Sequence, residues 1–206
     1  MNILEKTQQA NIQRRVNVLA GTIAKLLPPS TTILDVGCGD GLIDKLILSQ
    51  RPGITITGCD VLIRNFTHIP VLELNGNELP FENKSFDLTM FVDILHHTAS
   101  PSSLLDEAKR VSRRGIIIKD HIMNRIFAEK LLRIMDQAGN ARYSVNLPYN
   151  YWAQSKWMGE FKRMNLNLEA WITDVPIYPW WASWLFGSGL HFVAYLNKTN
   201  KGTGKK

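Results

Sequence analysis

The chain contains 206 residues, of which 45% are hydrophobic and 20% are charged. This size and composition predict one folded domain with a full core and exclude an intrinsically disordered protein. The formal net charge is +6, but four of the lysines lie in a polar terminal run, and the rest of the chain holds 20 basic against 18 acidic residues. We therefore expect a disordered basic tail over 199–206 and no nucleic-acid partner.

The amino-terminal sequence has no apolar stretch followed by a small-residue cleavage site, so no secretory signal is predicted and we expect a cytoplasmic location. In that compartment Cys38 and Cys59 should be reduced thiols. Too few other ligands accompany them in the sequence to make a metal site, so none is predicted.

The hydrophobic pattern predicts alternating helices and strands. An amphipathic helix over about 7–27 stops at two prolines. Helices are also predicted from 42, over 101–112, over about 120–137 and over 154–164, and strands near 31–36, 54–59, 70–74, 86–92, 115–119, 167–175 and 190–197. This order predicts an α/β fold: a Rossmann-like, doubly wound, mostly parallel seven-stranded sheet with helices on both faces, in a single domain.

The most informative stretch runs from Ile33 to Gly41 and reads ILDVGCGDG. An apolar strand ends here in glycines at positions 37, 39 and 41 and passes at once into a predicted helix. Such a turn directs backbone N–H groups, and the positive end of the helix dipole, toward whatever lies above it. Because glycine has no Cβ, a ligand can approach this backbone closely.

A carboxylate, Asp60, ends the next predicted strand. It would face the same crevice, where it can accept hydrogen bonds from both hydroxyls of a ribose. A dinucleotide-binding protein would use the same geometry, but its G-x-G-x-x-G fingerprint needs a third glycine where this chain has Leu42, which disfavours NAD. A turn that binds nothing would explain the glycines but would leave Asp35 and Asp60 unexplained.

These residues resemble the class I S-adenosylmethionine-dependent methyltransferases, in particular their small-molecule, "type 11"-like members. The likeness extends over most of the chain, from Ile33 to Leu196. LDVGCGDG matches the first motif of the family, and Asp60 matches its ribose-binding acid. Residues 74–81 resemble the third segment, with Asn75 where the family usually has aspartate, and residues 85–97 resemble the fourth.

The resemblance implies S-adenosylmethionine as the cofactor of a methyltransferase domain over 1–198, with the insertion 120–152 as a cover over the substrate. The turn formed by Gly37, Gly39 and Gly41 would hold the methionine end, with Asp35 at its ammonium group and Asp60 at the ribose. The other implied contacts are Cys38 in the turn, Val61 and Leu62 on one face of the adenine, Asn75 or Gly76 at the adenine edge, and Val92 and Asp93 near the sulfonium.

Catalytic candidates follow from the chemistry of methyl transfer. The reaction needs alignment and exclusion of water, and a hydroxyl or acidic-carbon nucleophile also needs a base to remove its proton. His121 and His97 are the candidates for this base, with Asp120 as an orienting partner, because these residues follow predicted strand ends. A histidine pair that only starts a helix beside the cofactor is the alternative for His97.

The acceptor is expected to be small and apolar or amphiphilic. Two aromatic groups support this expectation: Tyr149, Tyr151 and Trp152, and the cluster Tyr178, Trp180, Trp181, Trp184 and Phe186. The second group lies in an uncharged segment over 175–197, but its prolines and glycines exclude a membrane span. Three interpretations of this segment are left open: it forms a buried connection, it lines a pocket, or it contacts a membrane surface peripherally.

The function predicted from the sequence is transfer of a methyl group from S-adenosylmethionine to such an acceptor, with O-, C- and N-methylation all open. The alternative is an S-adenosylmethionine-binding protein of the same fold that does other chemistry or only binds. The sequence does not decide the oligomeric state.

Overall fold

The computed structural model describes residues 3–76, 78–123, 132–133, 148, 150–179 and 189–198. Its strands are β1 (Thr32–Val36), β2 (Thr55–Asp60), β3 (Val71–Glu73), β4 (Phe86–Val92), β5 (Ser112–His121), β6 (Leu166–Ile172) and β7 (His191–Lys198). They form one seven-stranded sheet in the order β3-β2-β1-β4-β5-β7-β6, in which only β7 runs antiparallel to its neighbours. The predicted α/β sheet is confirmed.

Four long helices lie within the described residues: α1 (Ile3–Leu26), α2 (Leu42–Gln50), α3 (Pro101–Val111) and α4 (Gln154–Arg163). One face of the sheet is covered by α1 and α2, whose Leu19, Ile23 and Ile47 pack on one apolar cluster. The other face is covered by α3 and α4, with Leu105 and Trp157 in a second cluster. Helices on both faces are what a doubly wound sheet requires, since both faces of its parallel strands are apolar.

Several predicted boundaries were wrong. Strand β5 begins at Ser112, directly after α3 and three residues earlier than expected, so Arg113 lies within the strand. There its guanidinium binds the Asp87 carboxylate, Nε to Oδ1 3.0 Å. Helix α1 starts before residue 7. Its described side chains between positions 7 and 15 all face solvent, including Ile12, which is 51% exposed. This part of the helix therefore lacks the predicted apolar face.

The proposed substrate cover also starts later than expected, because residues 120 and 121 complete β5. Most of the insertion, including Tyr149, lies outside the described residues, as do Trp180, Trp181, Trp184, Phe186 and the tail 199–206. Trp152, a candidate pocket residue, is buried in the core, with its ring centroid 4.7 Å from that of Trp157. Among the helices that the structure describes, none combines the length and apolarity needed to cross a bilayer.

Candidate functional site

Strands β1 and β4 lie side by side and parallel, and the order in which strands are added to the sheet reverses between them. In an open α/β sheet this reversal opens a crevice at the carboxyl ends of the strands. The glycine turn follows β1, Asp60 ends β2, and Asp93 follows β4. The topology therefore brings together, at one edge, the residues that the sequence analysis assigned to the cofactor.

All three glycines of the turn have positive φ angles: 77° at Gly37, 61° at Gly39 and 73° at Gly41. A Cβ at Gly37 would lie 1.8 Å from a side-chain carbon of Ile94, and one at Gly41 would lie 2.5 Å from Ile69. A Cβ at Gly39 would meet nothing within 4 Å. Packing explains the outer two glycines, whereas the middle one borders open space.

Asp60 joins the turn to the second strand. Its Oδ2 accepts a hydrogen bond from the Gly39 N–H at 2.8 Å, and its Oδ1 accepts one from the Leu62 N–H at 3.0 Å. Each carboxylate oxygen has a second lone pair, so the same group can still accept two hydroxyls. The carboxylate is thus fixed in position beside the open space over Gly39.

A second pair of acids lies beneath the turn. Asp35, at the end of β1, and Asp44, in the first turn of α2, are both buried, and their carboxyl groups interact. Burial, together with the neighbouring Asp44 charge, raises the pKa of Asp35 well above its ordinary value. Burial likewise raises the pKa of Asp44 to about 7. The sequence analysis did not identify Asp44.

Apolar side chains follow Asp60 on the surface. Val61 is 68% exposed and Leu62 is 46% exposed, which is unusual for aliphatic residues next to a sheet. Asn75 and Gly76, assigned to the adenine edge, are also exposed after β3, and Gly76 has a φ of 79°. This surface offers apolar area and a backbone turn to a flat ring. Cys38 instead fills the space left by Gly58, where a Cβ would lie 2.3 Å from its Sγ.

Asp93 sits in a charged network at the end of β4, and Val92 before it is half-buried. The Asp93 carboxylate accepts hydrogen bonds from Arg15 of α1 and from the fully buried Lys119 of β5. Burial opposes ionisation of Asp93, but the Lys119 and Arg15 charges outweigh it and hold its pKa well below the ordinary value. Because both its neighbours are cations, Asp93 is a charge partner and not a base.

Four of the five histidines form a cluster beside this network. The ring centroid of His96 lies 3.9 Å from that of His97 and 4.5 Å from that of His121, and His121 lies 4.7 Å from His191. Tyr151 stacks on His96 at 5.3 Å and contacts His121 at 5.9 Å. The structure therefore brings both predicted bases together with one of the predicted pocket aromatics.

Asp120 organises the histidine cluster. Its Oδ1 is 2.6 Å from His96 Nδ1 and accepts the His121 backbone N–H at 2.7 Å, while its Oδ2 accepts the Leu95 N–H at 3.1 Å. These partners, His96 first, outweigh burial and hold the pKa of Asp120 below its ordinary value. The carboxylate is therefore ionised, and it orients His96 more directly than His121.

His121 and His191 are held neutral. Burial and the adjacent Lys119 charge lower the pKa of both rings, and that of His191 more strongly. His121 Nδ1 lies 3.5 Å from Asp120 Oδ1 and 3.6 Å from Asp93 Oδ1. These two carboxylates favour the Nδ1–H tautomer and leave the lone pair on Nε2.

The ligand atoms of His96, Asp120 and His121 lie within 4.8 Å of one another, a spacing that a metal ion could also use. However, His96 Nδ1 and Asp120 Oδ1 are already joined in a hydrogen bond, and the Lys119 ammonium is close to His121 and Asp120. A dication placed here would be repelled by that buried charge. The arrangement favours a hydrogen-bonded network over a metal centre.

Sequence reasoning missed Arg15, Lys119 and His191 as members of this network. Lys119 carried a signal, since a lysine directly after three consecutive isoleucines in a buried strand needs an anionic partner. His191 is set directly opposite His121 by the antiparallel register of β5 and β7. No local pattern shows that pairing.

A glycine turn and a strand-end acid at the reversal point of a doubly wound sheet form the arrangement of α/β proteins that bind nucleotides. Residues 34–118 match the family model described as a methyltransferase domain. The structure is similar to that of geranyl diphosphate methyltransferase in complex with S-adenosylmethionine, with a TM-score of 0.68 and 14% identity over 88% of this chain and 85% of that one. Over residues 34–118 the chain therefore matches the methyltransferase-domain family, and its fold is that of S-adenosylmethionine-dependent methyltransferases.

Two relatives show how far sequence similarity extends. An uncharacterised protein of Methanocaldococcus jannaschii is 29% identical over 103 residues, covering 47% of this chain and 50% of that protein. A demethylmenaquinone methyltransferase of Tropheryma whipplei is 30% identical over 123 residues, covering 55% of this chain and 48% of that protein. The chain spans about half the length of the curated relatives it matches.

Proposed function

We propose that the protein is an S-adenosylmethionine-dependent methyltransferase that acts on a small, apolar or amphiphilic acceptor. One observation carries the proposal: Asp60 is locked onto the Gly39 N–H beside open space, at the crevice of a methyltransferase fold. In that position Asp60 would accept the ribose hydroxyls, while the exposed Val61 and Leu62 would pack on the adenine. Gly76 and Asn75 would meet the edge of the same ring.

The bound cofactor would supply a methyl group on a positively charged sulfur, a strongly activated leaving group. His121 would take the proton of the acceptor on Nε2, because Asp120 and Asp93 draw the other ring proton toward Nδ1. Its lowered pKa keeps it in the neutral form that a base requires near pH 7. Exclusion of water by Tyr151 and the surrounding histidines would keep that lone pair available to the acceptor.

The nature of the acceptor rests on two supports. The histidine cluster is bordered by Tyr151, which is buried, and by Tyr178, whose ring centroid lies 5.7 Å from that of His191. One relative is named for demethylmenaquinone, a quinone. Small-molecule sites combine such apolar walls with a few polar groups, and a ring-bearing acceptor with one ionisable hydroxyl or carbon fits this composition.

The cofactor assignment is tested by calorimetry with S-adenosylhomocysteine, the demethylated product. Asp60→Ala should lower affinity at least about 100-fold, because each hydrogen bond to a charged acceptor contributes roughly 1.5–3 kcal/mol. Glu73→Ala is the matched control: it removes an exposed carboxylate from the adjacent end of β3, in register with Asp60. Equal affinities for the two variants would remove Asp60 from the site.

The catalytic assignment is tested by incubating the protein with methyl-labelled cofactor and candidate quinols and phenols. His121→Ala should lower transfer by about 10²–10⁴-fold, the usual contribution of a general base, with cofactor affinity nearly unchanged. His97→Ala, tested beside it, shows whether the neighbouring histidine holds that role instead. Tight cofactor binding without transfer to any acceptor, also in a cell extract, would favour the alternative of a binding protein.

A further inference from the structure

Two carboxyl groups are buried directly beneath the glycine turn. Asp35 is 2% exposed and Asp44 is fully buried. Asp35 Oδ1 and both carboxylate oxygens of Asp44 accept no hydrogen bond from any donor in the described structure. Buried carboxylates without donors are strongly destabilised in their charged form. The neutral, protonated form is therefore favoured at this position.

The surroundings of the pair are uniformly acidic. Besides its own two members, the charged groups that act on it are Asp40 in the turn and Asp60 at the end of β2. The Asp44 and Asp35 charges also help burial to raise the pKa of the Cys38 thiol, so this thiol stays neutral. Among the described residues, none of the groups acting on this pair is a cation.

Two adjacent buried carboxyl groups with no cation cannot both ionise near neutral pH, because their charges repel at low dielectric. The pair then keeps one proton between its two members, as other close carboxyl dyads do. Asp44 is the member that ionises first, with a pKa of about 7, and its charge then helps burial to hold the remaining proton on Asp35. A ligand that brought a positive charge to the turn would reverse this balance.

We propose that Asp35 and Asp44 share one proton in the ligand-free protein and release it to solvent when the α-ammonium group of the cofactor binds over the turn. The proposal rests on the proposed function and extends it, because it makes cofactor binding depend on pH. Asp35, near the end of β1, would face the ammonium group, and Asp44, in the first turn of α2, would be a positioning residue that acts through it. The ligand keeps its own protons; the pair passes from one negative charge to two and faces one positive charge.

The experiment compares two nucleosides on the wild-type protein. S-adenosylhomocysteine carries the α-ammonium group, whereas 5′-methylthioadenosine has the same adenosine and sulfur but no amino acid. Calorimetry at fixed pH in buffers of different ionisation enthalpy counts the protons released. We expect about one proton for S-adenosylhomocysteine near pH 7, where Asp44 is partly ionised and the amino group of the ligand is still mostly protonated, and none for 5′-methylthioadenosine.

Affinity should follow the same pattern. By linkage, release of one proton makes affinity for S-adenosylhomocysteine rise up to about tenfold from pH 6 to 7, while affinity for 5′-methylthioadenosine stays constant. Asp44→Asn should reduce proton release and flatten this pH dependence, because the amide removes the Asp44 charge and can donate a hydrogen bond to Asp35, which lowers the pKa of Asp35. Glu73→Gln, which removes an exposed carboxylate at the end of β3, should leave the release intact.

Equal proton release with the two nucleosides would overturn the inference, as would unchanged release in Asp44→Asn. The wild-type comparison needs no variant, so a folding defect in Asp44→Asn cannot obscure the result. If both nucleosides bind without releasing protons, this inference fails and the proposed function stands. If neither binds, the proposed function fails, and this inference with it.

Discussion

The three glycines of the turn differ in what their missing side chains make possible. Gly37 and Gly41 leave room for Ile94 and Ile69, which are parts of the protein itself. Gly39 leaves room that nothing in the described structure fills. The same residue type therefore serves packing at two positions and access at the third, although the sequence pattern treats them alike.

This difference predicts different outcomes for the same substitution. Gly39→Ala should fold, at a cost of about 1–2 kcal/mol for its left-handed backbone, and should lose most of its affinity for S-adenosylhomocysteine. Gly37→Ala should unfold at markedly lower temperature, because its Cβ would collide with Ile94. Thermal unfolding and calorimetry distinguish the two. Full binding by a folded Gly39→Ala protein would contradict the proposed cofactor position.

At the scale of elements, helix α1 is connected to the sheet by charge as well as by packing. Arg15 of α1 and Lys119 of β5 both bind Asp93 after β4, so three separate elements meet at one carboxylate. Lys119 is fully buried, whereas Arg15 is partly exposed. The buried partner should therefore matter more for stability than the exposed one.

Lys119→Met should destabilise the protein by about 3–5 kcal/mol, because it leaves the buried Asp93 charge without its nearest partner. Arg15→Ala should cost less, since Lys119 still neutralises Asp93. Urea unfolding measures both. Adding Asp93→Asn to Lys119→Met should recover most of the loss, and a double variant less stable than Lys119→Met alone would show that the ion pair is not the cause.

At the scale of the whole molecule, the sheet and its cofactor edge were predictable, because β-branched runs, helical periodicity and the glycine turn are local signals. The network of Asp93, Lys119 and the histidines was not. Its contacts join Arg15 to Asp93 across 78 positions and Lys119 to His191 across 72. Such pairs depend on which strands become neighbours and in what register, and a single sequence does not record either.

The buried acid pair also makes the stability of the whole protein depend on pH. Because the folded state raises the pKa of Asp44 from 3.8 to about 7, its contribution is fully present below pH 3.8 and is lost as pH rises through 7. Asp44→Asn should therefore gain stability relative to the wild type between pH 5 and 8. The gain over this range should be at most about 3 kcal/mol by linkage, because only the pH units from 5 to 7 contribute.

Urea unfolding of the ligand-free proteins at both pH values measures this difference. Glu73→Gln, which changes an exposed carboxylate at the end of β3, should follow the wild-type curve. A constant gap between wild type and Asp44→Asn across this range would mean that Asp44 does not titrate there.

The two halves of the sheet carry different groups of site residues. The parallel half, β1 to β4, carries the glycine turn, Asp60 and the acid pair, whereas the antiparallel contact of β5 with β7 places His121 opposite His191. An engineer could therefore redesign the proposed acceptor pocket by exchanging the hairpin of β6 and β7 while leaving the proposed cofactor half untouched. Such a graft needs one condition, namely that position 191 still faces position 121, since a slip of one residue would present Leu190 or Phe192 instead.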